Sequence, residues 1–139
     1  MEFFKKPSNW IILAIIVVLV IGIYFFFLYN KKISDISEIS DSKIISILNK
    51  NEDAKEYMQE YSDFKIEEKI LLTKENITVG QNAENFKEVY QGLELEDGRY
   101  IKINLVNSSG SMGLVAVIDF KNKITVKAYG LMILKANSK

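Results

Sequence analysis

Twenty consecutive residues near the amino terminus, Trp10 to Tyr29, carry no charge. As an α-helix such a run rises about 30 Å, the thickness of a bilayer's hydrocarbon core, and it is predicted to be a transmembrane helix. Trp10 at one end and Tyr24 and Tyr29 at the other suit the two membrane interfaces, where amphipathic rings sit best. Lys5, Lys6, Lys31 and Lys32 flank the run and can snorkel into the headgroups. The lipid bilayer is therefore the first expected partner, and these lysines and aromatics are its candidate interface residues.

A cleaved signal peptide would have a shorter apolar region ending at a small-residue site. This run instead leaves through YFFFLYNKK, where no small residue is available. A pilin-type leader places a glutamate a few residues into its apolar run, whereas here no acid lies between Glu2 and Asp35. Gly22 is the only glycine inside, so there is no GxxxG dimerisation face. The tyrosine hydroxyls are the only ionisable groups, which leaves no proton relay or ion path. A retained signal-anchor is the expectation: residues 1–30 as anchor, with the helix at about 10–29. The lysine pairs on the two sides nearly balance. The free amino terminus adds a charge on the short side, favouring that side in the cytoplasm and the C-terminal domain outside the cell membrane.

The remaining chain, roughly 110 residues, suffices for one modest core. It contains neither cysteine nor histidine. That excludes disulfides, thiolate nucleophiles, a Ser-His-Asp triad and nearly every transition-metal site. A net charge of zero argues against nucleic-acid binding. The charge is unevenly spread, with fourteen acidic and seven basic residues from Asp41 to Asp97, then seven basic against Asp119 alone from Gly98 on. An acidic helical half packed beside a basic sheet half accounts for this, as does a charged partner.

Residues 31–41 are polar apart from isoleucines 33, 36 and 39, and read as a connector, either a flexible tether or a helical extension of the anchor. The domain is expected at 42–139. Ile44, Ile47 and Leu48 mark a helical face with Asp41 or Ser42 as its N-cap. Ala54, Tyr57, Met58 and Tyr61 mark another, capped by Asn51, giving two short helices or one bent one. Phe64, Ile66, Ile70 and Leu72 alternate with charged residues, as in a half-buried strand with one polar face. Residues 73–82 read as a loop.

NAENFKEVYQG has the pattern of a helix capped by Asn82, with Ala83, Phe86, Val89 and Tyr90 inward and Gly92 at C′. A hairpin from Leu93-Glu94-Leu95, turning at Asp97-Gly98 into Tyr100, is its rival or its sequel. YIKINLV, GLVAVIDF and ITVKAYGLMILKA then form a meander turning at NSSGS and at Lys121-Asn122. The second of these is apolar on both faces and hence central, and Gly130 suggests a bulge in the third. The predicted fold is α+β: a transmembrane helix, then one or two short helices packed on an antiparallel sheet of four or five strands.

The helical pair ending in NEDAKEYMQEY, the strand FKIEEKILL and the hairpin around VIDFKNKITV resemble, over about residues 43–128, the PepSY-type module and its cystatin-like relatives. The resemblance implies a small extracytoplasmic domain that binds or restrains a protein partner and carries no catalytic residues. It transfers no site residue.

No catalytic, cofactor or metal site is predicted. Asn76-Ile-Thr78 and Asn107-Ser-Ser109 fit the glycosylation pattern, with Asn107 the preferred acceptor. Glu94, Glu96 and Asp97 cluster beside a glycine and read as a solvated turn, with Asp119 elsewhere. Tyr57, Tyr61 and Phe64 read as core. The expected function is a membrane-anchored, non-enzymatic domain that binds or regulates a protein partner. The alternative is a structural subunit of an envelope, pilus-like or secretion assembly.

Overall fold

A computed structural model describes the backbone of residues 7–29 and 35–133, with side chains from Ile11 to Leu28 and from Asp35 onward. Lys5, Lys6, Lys31 and Lys32 lie outside the described residues, as do the side chains of Trp10 and Tyr29. Helix α1, Pro7–Tyr29, and the domain are separate units dividing between Lys32 and Ile33. Its window Ile11–Leu28 has a mean hydropathy of 3.3 and is long and apolar enough to cross a membrane. Every side chain in that window is exposed, Tyr24 among them, as suits a helix whose surroundings are apolar.

The domain begins inside the segment predicted as a connector. A single 3-10 turn, Ile36–Glu38, is capped by the Asp35 carboxylate, which accepts from the Ser37 N–H at 2.9 Å. Ile39 is buried in the core and Ile36 packs against it. Helix α2, Asp41–Leu48, starts after Ser40, one residue before the expected caps, and buries Ile44, Ile47 and Leu48. Helix α3, Glu52–Glu60, is separate from it. The Asn51 side chain accepts from the Ala54 N–H at 3.0 Å, satisfying one of the orphan donors of the first turn. The Tyr57 hydroxyl donates to the Met112 carbonyl at 3.0 Å, which ties α3 to the sheet.

Four antiparallel strands follow in the order β1-β2-β3-β4: Lys65–Leu71, Tyr100–Val106, Met112–Asp119 and Ile124–Met132. β3 is central, as its apolar faces predicted. β1 departs from the single polar face its alternation suggested. Ile66 pairs with Leu105 and Glu68 with Asn104, so Glu67 is an extra, bulged residue. Because side chains alternate with a period of two, that insertion swaps the faces of everything after it. Phe64, Ile66 and Leu71 therefore join the α2–α3 core, while Ile70 and Leu72 join a second core on the opposite face.

That second core is covered by α4, Lys74–Asn82, where a loop was expected, and by the single turn α5, Lys87–Tyr90. Thr73 and Asn76 form a reciprocal capping box at the start of α4, and the Asp97 carboxylate accepts from the Lys74 N–H at 2.7 Å. Gly80 lets the second layer close, since a Cβ there would lie 2.3 Å from the ring of Tyr90. Of the helix predicted from Asn82 only the last turn, α5, forms. Asn82 ends α4, Ala83 is extended, and Phe86 adopts a left-handed backbone with φ of 62°. Gly92 does occupy C′, with φ of 81°. Residues 93–95 form no strand, so the alternative hairpin is also absent. In β4 the bulge falls at Val126, between Thr125 opposite Ile118 and Lys127 opposite Val117, while Gly130 pairs regularly with Leu114.

Candidate functional site

The covering of the second face is incomplete. Two adjoining concavities, of about 540 and 570 Å³, open there and share Phe86, Val89, Val115 and Leu131. The first runs along the sheet over Ile70, Lys102 and Asn104, and the second reaches Gly130 on β4. Asn104 donates through Nδ2 to Glu68 at 2.7 Å, while its Oδ1 is buried with no hydrogen-bond partner among the described residues. The Glu88 carbonyl accepts from Lys127 Nζ at 2.7 Å and from the Tyr129 hydroxyl at 3.2 Å, so α5 is pinned to β4.

Phe86 stands where the two concavities meet, and the residue is 65% exposed. A left-handed backbone costs an L-residue about 1–2 kcal/mol, so an aromatic here is disfavoured twice, by strain and by exposure. Val79, on the neighbouring helix, is likewise exposed and lines the same concavity. Helical periodicity placed Phe86 inward. The signal that corrects it is the T-x-x-N capping pattern at Thr73. A helix started there uses the residues up to Asn82 and leaves 83–86 as a connection.

The acidic residues around Glu94 lie in a solvated turn, as expected, with Glu94 and Asp97 exposed, but Glu94 and Glu96 are also ion-paired. Arg99, the only arginine, donates through Nε and Nη2 to Asp119 Oδ2 at 3.0 and 2.9 Å, and through Nη1 to Glu94 and Glu96. Tyr100 pairs with Asp119 across the β2–β3 ladder, which sets Arg99 beside that carboxylate. Asn122 adds its N–H and side-chain amide to Asp119 at 3.1 and 2.8 Å, closing the β3–β4 turn. Burial alone would push the Asp119 carboxyl up. The Asn122 N–H, the Arg99 guanidinium and the Asn122 amide outweigh it and hold the group below its ordinary 3.8. Hydrogen bonding to Asp119 in turn holds Arg99 more firmly protonated. A guanidinium bonded to three carboxylates is a clasp between turns, with its charge already matched.

Asn107, the preferred glycosylation acceptor, is only 7% exposed. Its Oδ1 accepts from the Ser111 and Met112 N–H groups at 3.0 and 3.2 Å, and its amide shapes the turn. Asn76 is the exposed sequon asparagine, although its Oδ1 serves the capping box. Among the described residues no group of three acidic side chains is placed to hold a metal ion.

Known protein families, curated proteins and solved structures yield no match to this chain.

Proposed function

We propose that α1 anchors this chain in the cell membrane as a single-pass signal-anchor, with the amino terminus inside and the domain outside. The domain binds a protein partner and performs no chemistry of its own. One observation carries the reading: Phe86 holds a large apolar ring in solvent, on a strained backbone, at the junction of two concavities. Strain and exposed aromatic surface persist where a function opposes their cost, and aromatic residues are enriched among binding hot spots. The prominent ion cluster, by contrast, spends its one cation on three carboxylates and serves the turns. The resemblance of the helical pair, strand and Asp-turn hairpin to PepSY-type modules supports the same reading.

The test is affinity capture of the tagged chain from gently solubilised membranes, beside a Phe86→Ser variant. A stoichiometric protein partner retained by the parent and lost by the variant is the expected result. Capture of no partner by the parent would overturn the reading. Protease protection of the domain in intact cells would overturn its outside placement.

A further inference from the structure

The two edges of the sheet are built differently. β1 presents Lys65, Glu67, Glu68 and Lys69 and is broken by the Glu67 bulge, devices that discourage a further strand from pairing. β4 has its bulge early, at Val126, after which Ala128 to Met132 runs in unbroken register with Ala116 to Met112. That stretch, AYGLM, has no charged side chain, and Gly130 leaves open space where a Cβ would stand. No other described strand covers this edge.

Concavities flank the same edge on both faces of the sheet. On the α5 side lies the one lined by Phe86, Tyr129 and Leu131; on the α3 side a third, of about 380 Å³, lies between Tyr57, Tyr61 and Gly130. An added strand sends alternate side chains to opposite faces, so it needs receiving space on both. The α3 wall is acidic: Asp53, Glu56 and Glu60 line it, exposed and in no salt bridge among the described residues, whereas on the other side Glu84 and Glu88 are offset by Lys87 and by Lys127, whose Nζ sits on the Glu88 carbonyl.

We propose that β4 is the docking edge for an extended segment of a partner protein, one that pairs with Ala128–Met132 and carries lysine or arginine among apolar residues. This deepens the protein-binding reading and rests on it. Main-chain hydrogen bonds supply affinity, and the acidic α3 wall selects a basic strand over an acidic one.

The experiment uses the isotope-labelled full chain in lipid nanodiscs, titrated with a short end-blocked peptide of alternating lysine and valine. Its glutamate–valine counterpart is the control. Amide shifts concentrated at residues 128–132, with binding weakened about tenfold or more by Glu56→Lys with Glu60→Lys, are the expected result. Both glutamates are exposed, so the variant keeps its fold, and its circular dichroism verifies that. Equal binding of the acidic peptide, no binding of the basic one, or shifts at Ile70 and Asn104 in place of β4, would overturn the proposal. So would β4 shifts that follow protein concentration without peptide, which assign the edge to a second copy. Changes on deleting residues 134–139 would assign it to the chain's own tail and overturn it as well. A captured partner that cross-links only away from β4 refutes strand addition and leaves protein binding standing; capture of no partner refutes both.

Discussion

Replacing Asp119 with asparagine removes one charge from a carboxylate that is 3% exposed and accepts four hydrogen bonds. The shape is conserved, so the cost is electrostatic. Breaking a buried ion pair by neutralising one partner costs about 3–5 kcal/mol when the other charge is stranded. Arg99 is not stranded, since its side chain is 15% exposed and Glu94 and Glu96 remain on Nη1. The loss therefore reduces to charged hydrogen bonds at Nε and Nη2, lowering the expectation to about 2–3 kcal/mol. Urea unfolding of the full chain in detergent, followed by far-ultraviolet circular dichroism, reads this as a lower midpoint at unchanged slope. In a double-mutant cycle with Arg99→Gln, the coupling is expected at about 1–2 kcal/mol. A cost below about 0.5 kcal/mol, the usual range for surface changes, would refute the clasp.

The same carboxylate sets a pH dependence. Its folded-state pKa lies below the ordinary 3.8, so the stabilisation is complete above the unfolded value and is lost as pH falls through the folded one. Acid titration of the unfolding midpoint checks this, and Asp119→Asn is expected to flatten the acid limb. Ile44→Ala, at a site with no exposure, is expected to cost about 2–5 kcal/mol in urea unfolding. Gly80→Ala gains about 1 kcal/mol of helix propensity but overpacks the Tyr90 ring by about 1–3 kcal/mol. Its net loss is expected to appear as faster hydrogen exchange in α4 and α5. Phe86→Gly releases about 1–2 kcal/mol of left-handed strain against a comparable loss of ring contact. Unfolding is expected within about 1 kcal/mol of the parent, whereas a buried phenylalanine would cost about 3–5.

How far the fold was legible depended on whether one period described each segment. Ile44, Ile47 and Leu48, and then Ala54, Tyr57 and Met58, follow the helical period without interruption, and both helices form as read. The β2–β3–β4 meander was legible because β3 is apolar on both faces between clear turns. Ile66 and Ile70 share a parity in the sequence but sit on opposite faces, because the Glu67 bulge is a matter of pairing with β2 that no local pattern carries. The second face of the sheet, and so the trough on it, was hidden by that single insertion. Helix α4 buries only Ile77 and Gly80, too few apolar residues to show a period, and its cap was its one local mark. Arg99 and Asp119 stand twenty residues apart, and only the β2–β3 register brings them together.

The most direct measurement of the account places a photo-cross-linking phenylalanine analogue at position 86 in the full chain within intact membranes, with a second copy at exposed Lys50 on the helical face as control. The account predicts one defined protein adduct from position 86, suppressed by Glu56→Lys with Glu60→Lys, and none from position 50. Illumination that yields no adduct at position 86, or the same adducts from both positions, would contradict it.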